Sequence, residues 1–594
     1  MYVRYLLWNF VGKTNDQQGF GNNNSGQWIS GIYPVDNFFG KTTISEPKDK
    51  RSKARNIYFA IPFLLGILGL FYQIGRDTKG WFALTALFIF TGIAITIYSN
   101  EYAYQPRERD YAYVGSFMVF SIWIAIGAFA ISQWLVNIVR VKKPKYVLPC
   151  FILVPGLMFT NNFNDHNRSN RYTAYNFASS ILNSCQEDAI LFVNGDNDTF
   201  PLWYCQEVEG IRTDVRVINL QLLNNPDYIE KLTKKVYDSD PITLLANKET
   251  YNSLNRNICF ITPTNNAIEL KTALKELYNN NNPIVLHNNK FFALPTNKLF
   301  IQLDSTRRID IALENTEFTK STMIAYDIIA NNISKRPIYF SNYSVDDFFG
   351  FDEYLSNEGF VYKLSQEKQK PQDIIVDTKS VRVDSKKMYE NLMHNYSWKN
   401  FDKKGIYYDD LHRSIIEQYS QQTSLLAHTL LSEGDTQKSL AVANLCLEKI
   451  PPSIHNYHYV LAELSLAYGQ LGDEEKSQAL MQTVLQNFSD EMDYYILLSP
   501  KNQSQNRLET QKLIGSWINL CEISEQWELE YLRVLLANRL FDYLTPYVYI
   551  CSDQLKKLNE NPEYYADEID RLNTLLESIY AFANKYEEKL PVLK

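Results

Sequence analysis

The stretch Ala189-Ile190-Leu191-Phe192-Val193-Asn194-Gly195-Asp196-Asn197-Asp198-Thr199 decides the fold of the centre of the chain. Its first five residues are all apolar, and a short apolar run of this kind is a strand buried on both faces. Asn194-Gly195 turns the chain. A helix is expected from Thr199, because Asp198 is a good capping acceptor and Pro201 falls in the first turn. A second strand-like stretch, Val215-Arg216-Val217-Ile218-Asn219-Leu220, follows the helix. Strand, turn, helix and strand in this order imply two parallel strands with a crossover helix, and hence a layered α/β domain. The same reading places short strands at 258–261, 283–286 and 337–341, the last after a helix over about 323–332. Asn-rich turns such as 279–282 reverse the chain between them.

Upstream the composition changes. Four stretches, 57–75, 80–100, 111–139 and 146–164, contain no Asp, Glu, Lys or Arg. Each can cross a bilayer, since about 20 apolar residues at 1.5 Å rise span the hydrocarbon layer. The fourth, with Pro149 and Pro155, also suits a re-entrant or interfacial segment. Four crossings put the N-terminus and the large C-terminal region on one side. Basic clusters at 140–145 and 48–55 compete for the cytoplasmic side, so charge leaves the orientation open. Residues 1–10, MYVRYLLWNF, lack the plan of a signal peptide and suit an amphipathic interfacial segment.

The averages conceal this division. Over 594 residues the chain is 45% apolar and 21% charged, and its mean hydropathy of -0.29 reads as soluble. The net charge of 59 − 67 = −8 excludes the basic footprint of a nucleic-acid binder. Seven cysteines without a Cys-x-x-Cys pair argue against structural zinc, a thioredoxin-like site or a dense disulfide framework. Cys185 and Cys205 are the two that could pair in an oxidising compartment.

Beyond about residue 401 the pattern is helical and repeats itself. Gly434-Asp435-Thr436-Gln437-Lys438-Ser439-Leu440-Ala441 returns 38 residues later as Gly472-Asp473-Glu474-Glu475-Lys476-Ser477-Gln478-Ala479. The repeat resembles tetratricopeptide helix pairs, whose usual period is about 34, and implies a scaffold or a groove for protein partners. The fold class expected is thus a helical membrane block, an α/β soluble domain and an all-α helical-repeat domain. The boundaries fall at 1–56 (membrane-proximal), 57–164, 165–400 and 401–594.

Three polar clusters are candidates for chemistry. In Gln105-Pro106-Arg107-Glu108-Arg109-Asp110-Tyr111, the forks of Arg107 and Arg109 match phosphate geometry, with Glu108 and Asp110 orienting them. The same charges could instead pair among themselves and with headgroups. In Asp165-His166-Asn167-Arg168-Ser169-Asn170-Arg171-Tyr172, Asp165 and His166 form an acid/base or metal-ligand pair, flanked by Arg168 and Arg171. Its plainer reading is a helix start with interfacial anchors. In the turn after the first strand, Asp196 and Asp198 suit a cation or sugar hydroxyls at the C-terminal end of a parallel strand, or simply cap the helix. One glycine is too few for a dinucleotide loop.

Several of these stretches together carry a resemblance. MYVRYLLWNFVGKTND (1–16), QPRERDYAYVGSF (105–117), DHNRSNRYTAYNFA (165–178), AILFVNGDNDTFPLWYCQEVEGIRTDVRVINLQLLN (189–224) and FFGFDEYLSNEGFVYKL (348–364) resemble the bacterial protein O-mannosyltransferase-like membrane family, whose animal relatives are O-mannosyltransferases of the endoplasmic reticulum. The resemblance implies a GT-C-type glycosyltransferase that moves a sugar from a polyprenyl-phosphate carrier to protein hydroxyls, with no metal or cofactor. It implies a multi-pass inner-membrane protein whose large C-terminal region faces the periplasm. The acidic base of that family lies in a block of helices preceding the motif at which this chain starts, so it has no counterpart here. The chain is expected to be the C-terminal portion of the architecture, with catalysis depending on a region supplied from elsewhere. Arg107, Glu108, Arg109, Asp110, Asp165, His166, Arg168, Arg171, Asp196 and Asp198 are then the substrate-binding set. The alternative is a non-catalytic, membrane-anchored scaffold that binds partner proteins.

Overall fold

The computed structural model describes residues 2–16, 26–39, 54–100, 109–139, 148–252, 257–262, 264, 266–279, 284–286, 289–313, 316–341, 349–369, 382–450, 458–498, 503 and 507–585. The chain is mostly helical, with its larger sheets in the middle region and a two-stranded pair near the start. It forms two compact units: Met1–Arg171 with Gly405–Arg413 and Met481–Lys594, and Tyr172–Lys404 with Ser414–Leu480.

In the first unit, helix α1 (Tyr2–Phe10) leads into strand β1 (Gly12–Lys13), which pairs antiparallel with β2 (Asn56–Ile57). The short helix α2 (Tyr33–Phe38) lies between them in sequence. Five apolar helices follow: α3 (Ile61–Ile74), α4 (Thr78–Phe90), α5 (Ile93–Ser99), α6 (Val114–Val139) and α7 (Leu148–His166). Two of the four expected crossings, Thr78–Ser99 through α4 and α5 and Tyr111–Asn137 into α6, are long and apolar enough to span a membrane. The other two expected stretches fall short for physical reasons. Helix α3 has 14 residues, because Phe59 and Ala60 take left-handed φ values of 53° and 55° and delay its start. Among the described residues α7 covers Leu148–His166, and its last turns, from Thr160 to His166, are polar apart from Phe163, with Pro155 inside the helix.

Glycines bring α3 and α6 into backbone contact, as small residues do between membrane helices. A Cβ on Gly69 would lie 1.8 Å from the Trp123 carbonyl oxygen, and one on Gly127 would lie 2.1 Å from that of Leu65. Phe63 meets Phe120 at 5.8 Å and Tyr72 meets Phe129 at 6.4 Å, so the two helices run in the same direction. The Trp123 indole donates to Gln73 Oε1 at 3.0 Å, which satisfies the buried amide oxygen between them. Helix α1 packs at the same end, with Phe10 4.6 Å from Phe120 and the Tyr2 hydroxyl bonded to Ser116. Asn162, near the end of α7, accepts from the hydroxyl of Tyr58, just before α3. The starts of α3 and α6 and the end of α7 therefore lie together.

In the second unit, β3 (Ile190–Val193) and β4 (Arg216–Asn219) are parallel and joined by helix α9 (Asp196–Glu207), as the sequence predicts. Helix α8 (Thr173–Ser184) precedes them. The strand Ile338–Ser341 pairs parallel to β3 on its other side, and the full order runs Arg382–Val383, Leu355–Asn357, Val361–Leu364, Ile338–Ser341, β3, β4. Every residue of β3, β4 and Ile338–Ser341 is buried, the pattern of a sheet covered on both faces. Strands at Ile258–Ile261 and Ile284–Leu286 and a helix over Lys320–Asn332 also fall where expected. Cys185 and Cys205 are free, buried thiols, not a disulfide: Cys185, just past the end of α8, bonds the Ile181 carbonyl, and Cys205 faces that of Tyr175.

The 38-residue repeat has a structural counterpart. Gly434 and Gly472 each take positive φ after a helix, Asp435 N–H bonds Leu430 O, and Asp473 N–H bonds Tyr468 O. In each copy a serine on the second helix closes back onto the first, Ser439 Oγ to Ala427 O at 2.9 Å and Ser477 Oγ to Ser465 O at 2.8 Å.

The glycine contact in the first unit is directly testable. Gly69→Ala is expected to lower the unfolding free energy by about 1–3 kcal/mol, the cost of overpacking, read as an earlier thermal transition in detergent. An unchanged transition would contradict backbone contact between α3 and α6.

Candidate functional site

The strongest polar constellation gathers around Asp165 on the last turn of α7, whose side chain is 3% exposed. Lys13 Nζ lies 3.1 Å from Oδ2, Asn56 Nδ2 donates to the same oxygen at 3.0 Å, and His166 Nδ1 lies 3.1 Å from Oδ1. Local structure explains the convergence. Lys13 and Asn56 are direct partners across the β1–β2 pair, and opposed residues of an antiparallel pair project to the same face. On α7, Asn162 sits three residues before Asp165 and so shares its side of the helix. Its amide oxygen accepts from Asn56 Nδ2 at 2.9 Å and from the Tyr58 hydroxyl at 2.8 Å. Asn56 is wholly buried, and its own Oδ1 has no donor among the described residues.

Two further carboxylates of the first unit hold the segment 405–413. Asp16 accepts from the hydroxyl of Tyr407 and lies 3.5 Å from the Arg413 guanidinium. Asp409 accepts from Arg171 at 3.1 Å and from His412 Nδ1 at 2.6 Å. Arg168 donates to the Asp165 carbonyl at 3.2 Å, and its charge adds to burial in lowering the Arg171 pKa.

The electrostatics of the Asp165–His166 pair follow from these contacts. Burial pushes the Asp165 carboxyl up, but the His166 hydrogen bond and the Lys13 ammonium outweigh it and leave the pKa below the usual range. His166 is raised, first by its hydrogen bond to Asp165 and then by that charge, against partial burial. At Asp409 burial also acts upward, and His412 and Arg171 bring the carboxyl well below its ordinary value. Burial and the Asp16 charge push the Tyr407 phenol far up, so it stays a donor. The His166 ring is largely exposed. Chemically, the arrangement offers an oriented, largely exposed imidazole beside the cations of Lys13 and Arg168. Anionic groups and hydroxyls are its natural ligands. No cluster of three metal-ligating side chains occurs among the described residues.

The other two candidate clusters fare differently. Arg107 and Glu108 lie outside the described residues, as does the side chain of Asp110. Arg109 is exposed, just before the helical turn Asp110–Tyr113. The pair Asp196 and Asp198 is split, because residues two apart on a helix point about 200° apart. Asp196 is exposed and Asp198 wholly buried. Helix α9 begins at Asp196, after Gly195 at φ 91°, so Asp198 does not cap it. Instead Asp198 accepts from Ser341 Oγ at 2.8 Å and from Asn194 N–H at 3.1 Å. Asn219 donates to the Thr199 hydroxyl at 2.8 Å. These bonds fasten the C-terminal ends of three parallel strands, and burial raises the Asp198 pKa despite them. Asp198 is thus a bolt of the sheet, and of the two only Asp196 can meet a ligand from solvent.

Sequence reading identified Asp165, His166, Arg168 and Arg171 but missed Lys13, Asp16, Asn56, Tyr407, Asp409 and His412. The only available signal was that Lys13 and Asp16 fall within the distinctive opening stretch. The rest come from distant segments without a motif.

One of the comparisons with known proteins falls within the second unit. Residues 174–387 match the family model described as TMEM260-associated domain 2. An alignment over 182 residues, covering 27% of this chain and 22% of the relative, shows 24% identity to a Dictyostelium discoideum protein named protein O-mannosyl-transferase tmem260. The chain is therefore similar to a small part of that relative's length. No solved structure matches.

The pair at the end of α7 makes a pH prediction. A histidine whose pKa is raised by folding gains from its partner while protonated. That gain is complete below its ordinary value near 6.5 and is lost as pH rises through the raised one. Asp165→Asn is expected to move the pH midpoint of diethylpyrocarbonate modification at His166 downward, as read by mass spectrometry. An unmoved midpoint would separate His166 from Asp165.

Proposed function

We propose, from the TMEM260-associated domain at residues 174–387, that the chain belongs to a membrane-bound protein O-glycosylation machinery. The reaction is transfer of a sugar, mannose in the name of the Dictyostelium relative, from a polyprenyl-phosphate carrier to protein hydroxyls. The chain is one component of that machinery. Its own part is to hold substrates. Arg109, with Arg107, binds the carrier phosphate at the membrane surface. His166, Arg168 and Lys13 form a second cationic edge around the buried Asp165, suited to phosphate or to sugar hydroxyls, with Arg171, nearby in sequence, held by Asp409. Asp196, at the end of β3, is available to acceptor or sugar hydroxyls. The protein resides in the inner membrane, and both soluble regions work in the periplasm.

The observation that carries this reading is the domain match, supported by the cationic cluster at the end of the apolar helices. The test is transfer of labelled mannose from a polyprenyl-phosphate donor to an acceptor protein, in membranes containing the complete system. Arg109→Ala and Arg168→Ala replace exposed side chains. Each is expected to reduce transfer about tenfold, the equivalent of one charge-assisted contact. Unchanged transfer in both would overturn the substrate-holding role.

A second reading is favoured by the duplicated helix pairs with their matching serine bonds. Tetratricopeptide-like pairs gather protein partners, and the chain would then be an anchored scaffold. Retained partner binding, without any requirement for the chain in sugar transfer, selects this alternative.

A further inference from the structure

Residues 32–39, Ile32-Tyr33-Pro34-Val35-Asp36-Asn37-Phe38-Phe39, invert the usual distribution of polarity. The acidic residue is inside and the rings are outside. Asp36 is 8% exposed, whereas Tyr33, Phe38 and Phe39 are 70%, 82% and 56% exposed. Among the described residues the carboxylate's bonds all go to the turn before α2: Oδ1 accepts from Ser30 N–H and Ser30 Oγ, both at 2.8 Å, and Oδ2 from Gly31 N–H at 2.9 Å. Pro34 in the first helical turn stiffens it further. A water-facing loop gains nothing from holding three rings outward in this way.

The loop is fixed to the polar end of the helical block. Ile29 N–H bonds the Gly12 carbonyl at 3.1 Å, and a Cβ on Gly31 would lie 2.3 Å from a methyl group of Ile57. The root of the loop is therefore the β1–β2 pair, which carries Lys13 and Asn56 and leads through Tyr58 into α3. The outer surface of α3 continues the apolar character, with Leu64 and Phe71 exposed. Trp28 adds a ring 5.1 Å from Phe39. Aromatic side chains rimming an apolar helical block are the signature of the membrane–water boundary.

We infer that residues 32–39 are an interfacial anchor, with a lipid bilayer covering Tyr33, Phe38 and Phe39 at the headgroup boundary. The inference rests on membrane residence of α3 to α6 and does not depend on sugar transfer. Its consequence is positional. Because β1 and β2 hold both the loop and the Asp165 cluster, the anchor sets the height of that cluster at the headgroup layer, where the phosphate of a lipid-borne molecule lies.

The test uses the full chain in nanodiscs containing phosphatidylcholine brominated either near the carbonyls or deep in the acyl chains, with Trp fluorescence read against the unsubstituted protein. Phe38→Trp and, independently, Phe39→Trp introduce reporters into the loop. Leu68→Trp does so in the middle of α3. The loop reporters are expected to be quenched by shallow bromines and shielded from iodide, and the α3 reporter by deep bromines. Asp36→Ala, added to either loop reporter, is expected to abolish the shallow quenching by releasing the turn. Deep quenching at position 68, with both loop reporters open to iodide and untouched by bromine, would overturn the anchor while leaving the membrane block intact. Loop reporters shielded from iodide without bromine quenching would indicate a protein partner and also overturn it. Absence of quenching at all three positions would overturn the membrane reading itself.

Discussion

A carboxylate buried at the end of an apolar helix cannot remain charged unless cations and hydrogen-bond donors converge on it. Asp165 imposes this requirement on the first unit. Lys13, Asn56 and His166 meet it. To deliver the first two, the chain must form a two-residue ladder between segments more than 40 positions apart, and that ladder must lie against the end of α7. Several features follow from the same junction: the entry into α3, the placement of α1 over the starts of α3 and α6, and the rooting of residues 26–39 on β1 and β2.

The second unit depends on a different buried carboxylate used in a similar way. Asp198 secures the turn after β3 and reaches Ser341 on the neighbouring strand. The exposed end of α9 is therefore firmly based, and Asp196 is presented from it. At the opposite ends of these strands, Arg216 and Arg336 are buried against backbone carbonyls of 234, 239, 240 and 188. Such carbonyl-saturated guanidinium groups brace the sheet and leave little capacity for a ligand.

Much of the fold was legible because it rests on local signals. The run 189–193, the Asn194-Gly195 turn and the run 215–220 suffice for a parallel βαβ unit. The repeated Gly-Asp at 434 and 472 marks two helix pairs that share the same closing bonds. Apolar runs located the membrane-type helices but overstated the length of α3, since hydropathy is blind to the left-handed φ at Phe59 and Ala60 that delays its start. The candidate site was half legible. Asp165 and His166 are adjacent and conspicuous, whereas Lys13, Asn56 and Asp409 gain their significance only from long-range pairing. The opposite error occurred at Asp196 and Asp198: their proximity in sequence suggested a shared pocket, and helix geometry separates them.

The junction between Lys13 and Asp165 is best measured by a double-mutant cycle on unfolding stability in detergent, using Lys13→Met, Asp165→Asn and the two together. Contacting charged groups that depend on one another are expected to show a coupling energy of about 1–3 kcal/mol. Each single change strands a buried partner, and the double change removes both. Additivity within about 0.5 kcal/mol would mean that Asp165 is stabilised without Lys13, and that β1 is not held to α7 through this pair.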